Sequence, residues 1–301
     1  MKTKRLEKNM VAQDNEMKLM DPEQLSVALI EAQYALKESK GKPNAKSVLI
    51  LVSGIELAGK GEAVKQLREW VDPRYLRVKA DAPQTFNHKQ TFWQPYARFI
   101  PAEGQVMVMF GNWYSDLLIT ALHVSKPLDE TLFDAYVEDM RTFEQDLKNN
   151  HVDVVKVWFD LSWKSLQKRL DNMNPSEVHW HKLHGLDWRN KKQYDNVQKL
   201  RQRFTDDWIV IDCEDEKRRD QQFAQHILRA LEHCPEHLSQ NKTKWKQATV
   251  PEPLLAPENK AVNQDNYKAE FKKLSLKVAE VLRFDDRKAI IVFEGMDAAG
   301  K

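Results

Sequence analysis

A chain of 301 residues is long enough for one large α/β domain, or for one domain with part of another. Apolar residues make up 42% and charged residues 31%, the balance of a folded globular protein and too apolar for disorder throughout. A formal net charge of +2 excludes a global basic field aimed at nucleic acid or an anionic membrane, so any polyanion site must be local.

Residues 1–20 show no helical period and lack the apolar stretch of a signal peptide or membrane span, so they read as a flexible arm on a cytoplasmic protein. Asp21 as N-cap with Pro22 at the first helical position opens an amphipathic helix that runs to Ser39 and closes at Gly41. Leu25, Ala28, Leu29, Ala32 and Leu36 form its apolar face. Val48 to Val52 is continuously apolar, the pattern of a strand buried on both faces of a parallel sheet. Further strands are expected at Tyr75 to Lys79, Gln105 to Phe110, Val152 to Phe159 and Trp208 to Ile211. Helices are expected at Glu62 to Trp70, Leu128 to Asn149, Trp163 to Asn172, Lys191 to Phe204 and Asp215 to Cys234. Five short strands alternating with helices imply a doubly wound α/β sheet. The polar segment between Asn172 and Lys191 stands where a mobile lid sits in nucleoside-kinase-like folds, an analogy of position.

Four prolines between Pro235 and Val262 mark a linker, since proline withholds a backbone donor and restricts φ. The domains read as a 1–20 arm, a 21–234 phosphate-loop domain, a 235–262 linker and the start of a second domain over 263–301. In that last part a helix near Asn263 to Leu282 and a strand Ala289 to Phe293 copy the opening of the first domain. Sliding Ser47–Lys60 onto Lys288–Lys301 pairs strand with strand, and four of the seven residues in Gly54–Lys60 are identical, which indicates an internal duplication.

Gly54-Ile55-Glu56-Leu57-Ala58-Gly59-Lys60 has the spacing G-x-x-x-x-G-K between a buried strand and a helix. Its glycines let amides turn around phosphate oxygens, the helix N-terminus adds partial positive charge, and Lys60 adds a mobile cation. The plainer alternative is a tight strand-to-helix turn with a solvated lysine. The repeat Gly295-Met296-Asp297-Ala298-Ala299-Gly300-Lys301 weighs against it. Gly61 stands where a Ser or Thr would hold magnesium. Lys60, Lys65, Arg68, Arg74, Lys79, Lys89 and Arg98 are candidates for a polyanion channel, Lys79 and Arg98 foremost, whereas Lys65 and Arg68 also fit a solvated helix face. His179, His181 and His184 lack the partner spacing of a metal site, Trp180 and Trp188 fit packing better than base stacking, and Cys213 and Cys234 suggest neither a disulfide framework nor zinc.

The segment Phe293-Glu294-Gly295-Met296-Asp297-Ala298-Ala299-Gly300-Lys301 resembles the phosphate loop of the polyphosphate kinase 2 family. Further resemblances run through the first domain: Asp72-Pro73-Arg74, Ala82-Pro83, Tyr96 through Pro101, Gly104, Trp113-Tyr114, Trp180, Lys182-Leu183, Asp207-Trp208 and Asp215 through Arg219. The likeness implies a P-loop kinase-like three-layer α/β/α fold with a five-stranded parallel sheet. The duplicated arrangement is similar to the family's tandem members, which imply transfer of a phosphoryl group from polyphosphate to AMP, giving ADP, with Mg2+ as cofactor. By that resemblance Asp297 orients or activates the acceptor and Lys301 grips phosphate, with Gly295 and Gly300 in the same loop. Glu56 and Lys60 are their counterparts in the first domain, where Gly54, Gly59, Gly61, Lys79 and Arg98 would contact phosphate.

The first domain departs from the family at its acids. Glu56 replaces the loop aspartate, and the family's Phe-Asp-Arg-Ser-Trp-Tyr reads Phe110-Gly111-Asn112-Trp113-Tyr114, without the magnesium-holding carboxylate and the arginine. Phosphoryl transfer depends on positioning and charge neutralisation, so this domain is expected to be catalytically weak or silent. Because the sequence ends on the loop lysine Lys301, the second domain is expected to be cut short and the chain to catalyse poorly alone. The alternatives are a non-catalytic polyphosphate-binding or assembly domain, homo-oligomerisation included, and an ATP-dependent nucleoside monophosphate kinase, which Gly61 disfavours.

Overall fold

The computed structural model describes residues 18–42, 45–86, 91–122, 128–173, 186–233 and 264–284. The chain divides into two units, Met1–Asn241 and Lys242–Lys301.

The first unit is built on a parallel sheet of five strands: β1 (Ser47–Gly54), β2 (Leu76–Ala80), β3 (Val106–Phe110), β4 (Val152–Asp160) and β5 (Ile209–Asp212), in the order β2-β3-β1-β4-β5. β1 is the central strand, in register with β3 through Val48–Val106 and with β4 through Val48–Asp153. That position explains its continuous apolar run, since every residue from Ser47 to Ser53 is buried.

Among the described residues, seven helices surround the sheet: α1 (Pro22–Glu38), α2 (Lys60–Trp70), α3 (Trp113–Leu122), α4 (Glu130–Asn149), α5 (Trp163–Asp171), α6 (Lys191–Arg201) and α7 (Glu216–Glu232). α7 packs on α1 and α2, while α3 packs on α4 and α6. On α1, Leu25, Leu29, Ala32 and Leu36 recur at helical spacing and are all buried. Each fully buried leucine contributes about 2 kcal/mol. Gln33 on the same face exchanges two bonds with the backbone of Asp72, which ties α1 to the segment leading into β2.

Two local expectations change. Helix α3 was not foreseen, because Trp113 to Leu122 is apolar nearly all round and offers no polar face for a periodicity argument. Residues 18–20 of the expected loose arm are held by α7: Met20 N–H donates to Gln225 Oε1 at 3.2 Å, and Gln225 Nε2 donates to the Lys18 carbonyl at 3.1 Å. No described helix is long and apolar enough to cross a membrane. In the second unit the described element is α8 (Gln264–Phe284), with Tyr267, Phe271 and Leu274 exposed along it.

Candidate phosphate site

The chain leaves β1 toward one side of the sheet and leaves β3 toward the other, so the direction of winding reverses between these neighbours. In open parallel sheets this reversal opens a crevice at the carboxyl ends of the strands, where ligands bind. The segment Gly54–Lys60 leaves β1 there and Gly111–Asn112 leaves β3 there.

The loop after β1 is held at each turn. The Ile55 amide continues the ladder to the Phe159 carbonyl at 2.9 Å, and the Ala58 amide closes a turn on the Ile55 carbonyl at 3.3 Å. Gly59 begins α2 at φ 85 with no side-chain cap on the first-turn amides, which leaves the helix start suited to an anion. A β-carbon at 59 would lie 1.7 Å from Arg219 Nη1, so a side chain there would displace that guanidinium. Lys60 Nζ donates to the Ile55 carbonyl at 2.7 Å and stands 3.9 Å from the Glu56 carboxylate. The predicted loop cation and loop acid therefore meet at the mouth of the turn.

Two arginines that the motif does not contain complete the loop. Arg169 of α5 donates to the Leu57 carbonyl and Arg219 of α7 to the Ala58 carbonyl. Sequence reasoning noted Arg219 only within the run Asp215 to Arg219 and did not consider Arg169.

The position of the missing acidic motif is structurally closed. Gly111 has φ 57, and a β-carbon there would lie 2.2 Å from the Asp81 carbonyl oxygen. Asn112 is fully buried and its amide group is committed: Nδ2 donates to the Val52 carbonyl at 3.1 Å, and Oδ1 accepts from the amides of Tyr114 and Ser115 at the start of α3. It works as a helix cap that joins the ends of β1 and β3. Gly61 differs, because a β-carbon there meets nothing within 4 Å. A hydroxyl at 61 is thus absent by sequence choice, whereas a carboxylate at 111 is excluded by packing.

These residues do not fit a resident magnesium ion. Position 61 offers no hydroxyl and position 111 no side chain as an oxygen ligand.

Lys79 and Arg98 line a cavity of about 320 Å³ at the ends of β2 and β3, together with Asp81, Tyr96, Gly111 and Asp116. No residue of Gly54–Gly61 lines it. Lys79 is 9% exposed, lies 2.6 Å from the Asp81 carboxylate, and sits over the rings of Tyr96 and Phe99. Asp116 accepts from the Gln84 amide at 2.8 Å and from the Tyr96 hydroxyl. Burial raises its pKa, and those two donors offset part of the rise. Asp116 also escaped sequence reasoning.

Among the other cations considered, Arg74 is bound by both oxygens of Asp72, and Lys65 and Arg68 lie on the exposed face of α2. Trp188 is buried in the core, as is Cys213. Lys89, His179, Trp180, His181, His184, Cys234, the 235–262 linker, the strand Ala289 to Phe293, and Gly295, Asp297, Gly300 and Lys301 lie outside the described residues.

The sequence model of the family described as Polyphosphate kinase 2 (PPK2) matches residues 13–238. A polyphosphate:AMP phosphotransferase of Acinetobacter johnsonii is 70% identical over 283 residues, covering 94% of this chain and 60% of the relative. A protein of the same description from Pseudomonas aeruginosa is 31% identical over 304 residues, covering 92% and 58%. The chain thus spans about 60% of the length of these curated relatives. A crystal structure described as polyphosphate kinase 2 from Pseudomonas aeruginosa matches with a TM-score of 0.55 at 26% identity, over 90% of this chain and 55% of that one. Another, from Arthrobacter aurescens, matches with a TM-score of 0.54 at 22% identity over 84% of each chain, and speaks for the fold alone.

Proposed function

This chain belongs to the polyphosphate kinase 2 family, and from that premise we propose that it serves the transfer of a phosphoryl group from inorganic polyphosphate to AMP, giving ADP, in the cytoplasm. The division of labour we propose is that Gly54–Lys60 holds the phosphate chain while transfer takes place at the second loop, around Asp297 and Lys301. The observation that carries this division is the closed position at Gly111, where the Asp81 carbonyl leaves no room for the acid that the family uses.

What the first loop retains is electrostatic. The amides at the start of α2, which carry no side-chain cap, and the Lys60 ammonium attract phosphate oxygens without a metal ligand. What it lacks is a means to neutralise charge developing during transfer, where most of the catalytic rate arises. Magnesium in this reading belongs to the second loop, and Mg2+ addition is expected to be essential for turnover and dispensable for binding at the first loop.

The test compares this 301-residue chain with the chain extended to the length of its relatives, supplied with polyphosphate, magnesium and AMP, and measures ADP. Turnover by the extended chain only is expected, with polyphosphate binding by both. Equal turnover by the two would overturn the division of labour. Supplying ATP in place of polyphosphate separates this reading from an ATP-dependent nucleoside monophosphate kinase.

A further inference from the structure

The side chains that shape the phosphate loop come from helices far away in sequence. Leu57 has φ 56, a left-handed conformation that is unfavourable for a residue with a β-carbon and persists only where surrounding contacts impose it. Arg169 supplies such contacts: Nη1 donates to the Leu57 carbonyl at 2.7 Å and Nη2 to the Cys213 carbonyl at 2.7 Å. One planar fork thereby fastens the loop to the residue that follows β5. At the next peptide Arg219, 2% exposed, donates from Nη1 to the Ala58 carbonyl at 3.4 Å and from Nε to Asp220 at 2.8 Å.

In a trans peptide the carbonyl and the amide of one plane point in opposite directions. A carbonyl drawn to a cation behind the loop therefore turns the following N–H toward the opposite side. Holding the Ala58 carbonyl directs the Gly59 amide, which immediately precedes the uncapped start of α2.

We infer that Arg169 and Arg219 are positioning residues: Arg169 holds the Leu57 turn, whose Ala58 amide bonds back to the Ile55 carbonyl, and Arg219 sets the next peptide plane, so that the Gly59 amide and the start of α2 face a phosphate chain. The two side chains donate to loop backbone, to the Cys213 carbonyl and to Asp220, the contacts of residues that orient the cradle. This rests on the polyphosphate-binding reading above.

The test is calorimetric titration of the 301-residue chain with inorganic tripolyphosphate, with thermal unfolding followed in parallel. Arg169→Met should weaken binding at least about tenfold, the loss typical of one charge-assisted contact. Adding Leu57→Gly to that variant should recover most of the loss, because glycine takes positive φ without an external hold. If Arg169→Met does not fold, Arg169→Lys, which keeps the charge and loses the fork, is expected to weaken binding and to be rescued in the same way. Binding unchanged in the arginine variant would overturn the inference, and so would a loss that Leu57→Gly fails to recover, since that result marks a direct phosphate ligand. If the unaltered chain does not bind, the polyphosphate reading itself is lost and the inference with it.

Discussion

Gly111 and Asp81 approach so closely that a β-carbon on residue 111 would stand 2.2 Å from the Asp81 carbonyl oxygen. Gly111 also has φ 57. The end of β2 thus occupies the space that a side chain at the end of β3 would need, and the first loop faces a strand end that offers no carboxylate at this position.

Gly111→Asp should therefore destabilise the domain and restore no activity. Overpacking together with a left-handed non-glycine backbone is expected to cost roughly 3 kcal/mol, read as a lowered midpoint in urea unfolding. Gly61→Ser is the control: with open space around position 61, its stability should stay within about 0.5 kcal/mol of the unaltered chain.

Lys60→Met removes the ammonium that rests on the Ile55 carbonyl. Polyphosphate affinity should fall by about ten- to a hundredfold, the value of a charge-assisted contact. The thermal midpoint should barely move, because the side chain is partly solvated. The affinity of the unaltered chain should also decrease with added salt.

A buried ion pair anchors the other side of the sheet. Lys156 on β4 lies 2.7 Å from Glu144 on α4, and the indole N–H of Trp113 donates to the same carboxylate at 3.0 Å. Lys156→Met should cost about 3 kcal/mol in chemical denaturation, since it strands a buried charge. Adding Glu144→Gln should recover part of that loss, because the amide keeps an acceptor for Trp113 and carries no charge.

Asp116 gives a pH-dependent prediction. Burial raises its folded pKa above the unfolded value, so the native state binds the proton more tightly. Stability from this group is greatest at low pH and declines as pH rises from the unfolded value of about 4 through the folded one. Asp116→Asn removes that titration. The unfolding free energy of the unaltered chain minus that of Asp116→Asn should fall as pH rises above about 4 in urea titrations at each pH. A difference that rises with pH would show the carboxylate to be stabilised as the anion.

Much of the framework could be read locally. The apolar run at Val48–Val52 announced a central strand, and Asp21 with Pro22 marked the start of α1, where Asp21 Oδ1 accepts from the Glu23 amide at 3.0 Å. The five strands lie within one or two residues of their expected bounds. Helix α3 escaped because Trp113 and Tyr114 are both fully buried, and a segment surrounded by core carries no alternation of polar and apolar faces.

By itself the sequence determined the strand–loop–helix unit around Gly54–Lys60, because it is a short-range pattern written in neighbouring residues. Only the tertiary structure decided that Arg169, 112 positions from Leu57, and Arg219, 161 positions from Ala58, hold the loop, and that Asp81 closes the space beside Gly111. It also placed Lys79 and Arg98 together with Asp116 on one cavity at the ends of β2 and β3. The physical reason is that backbone propensity and hydrophobic period act over a few residues, whereas contacts between strand ends and helices are set by the order in which the sheet is wound.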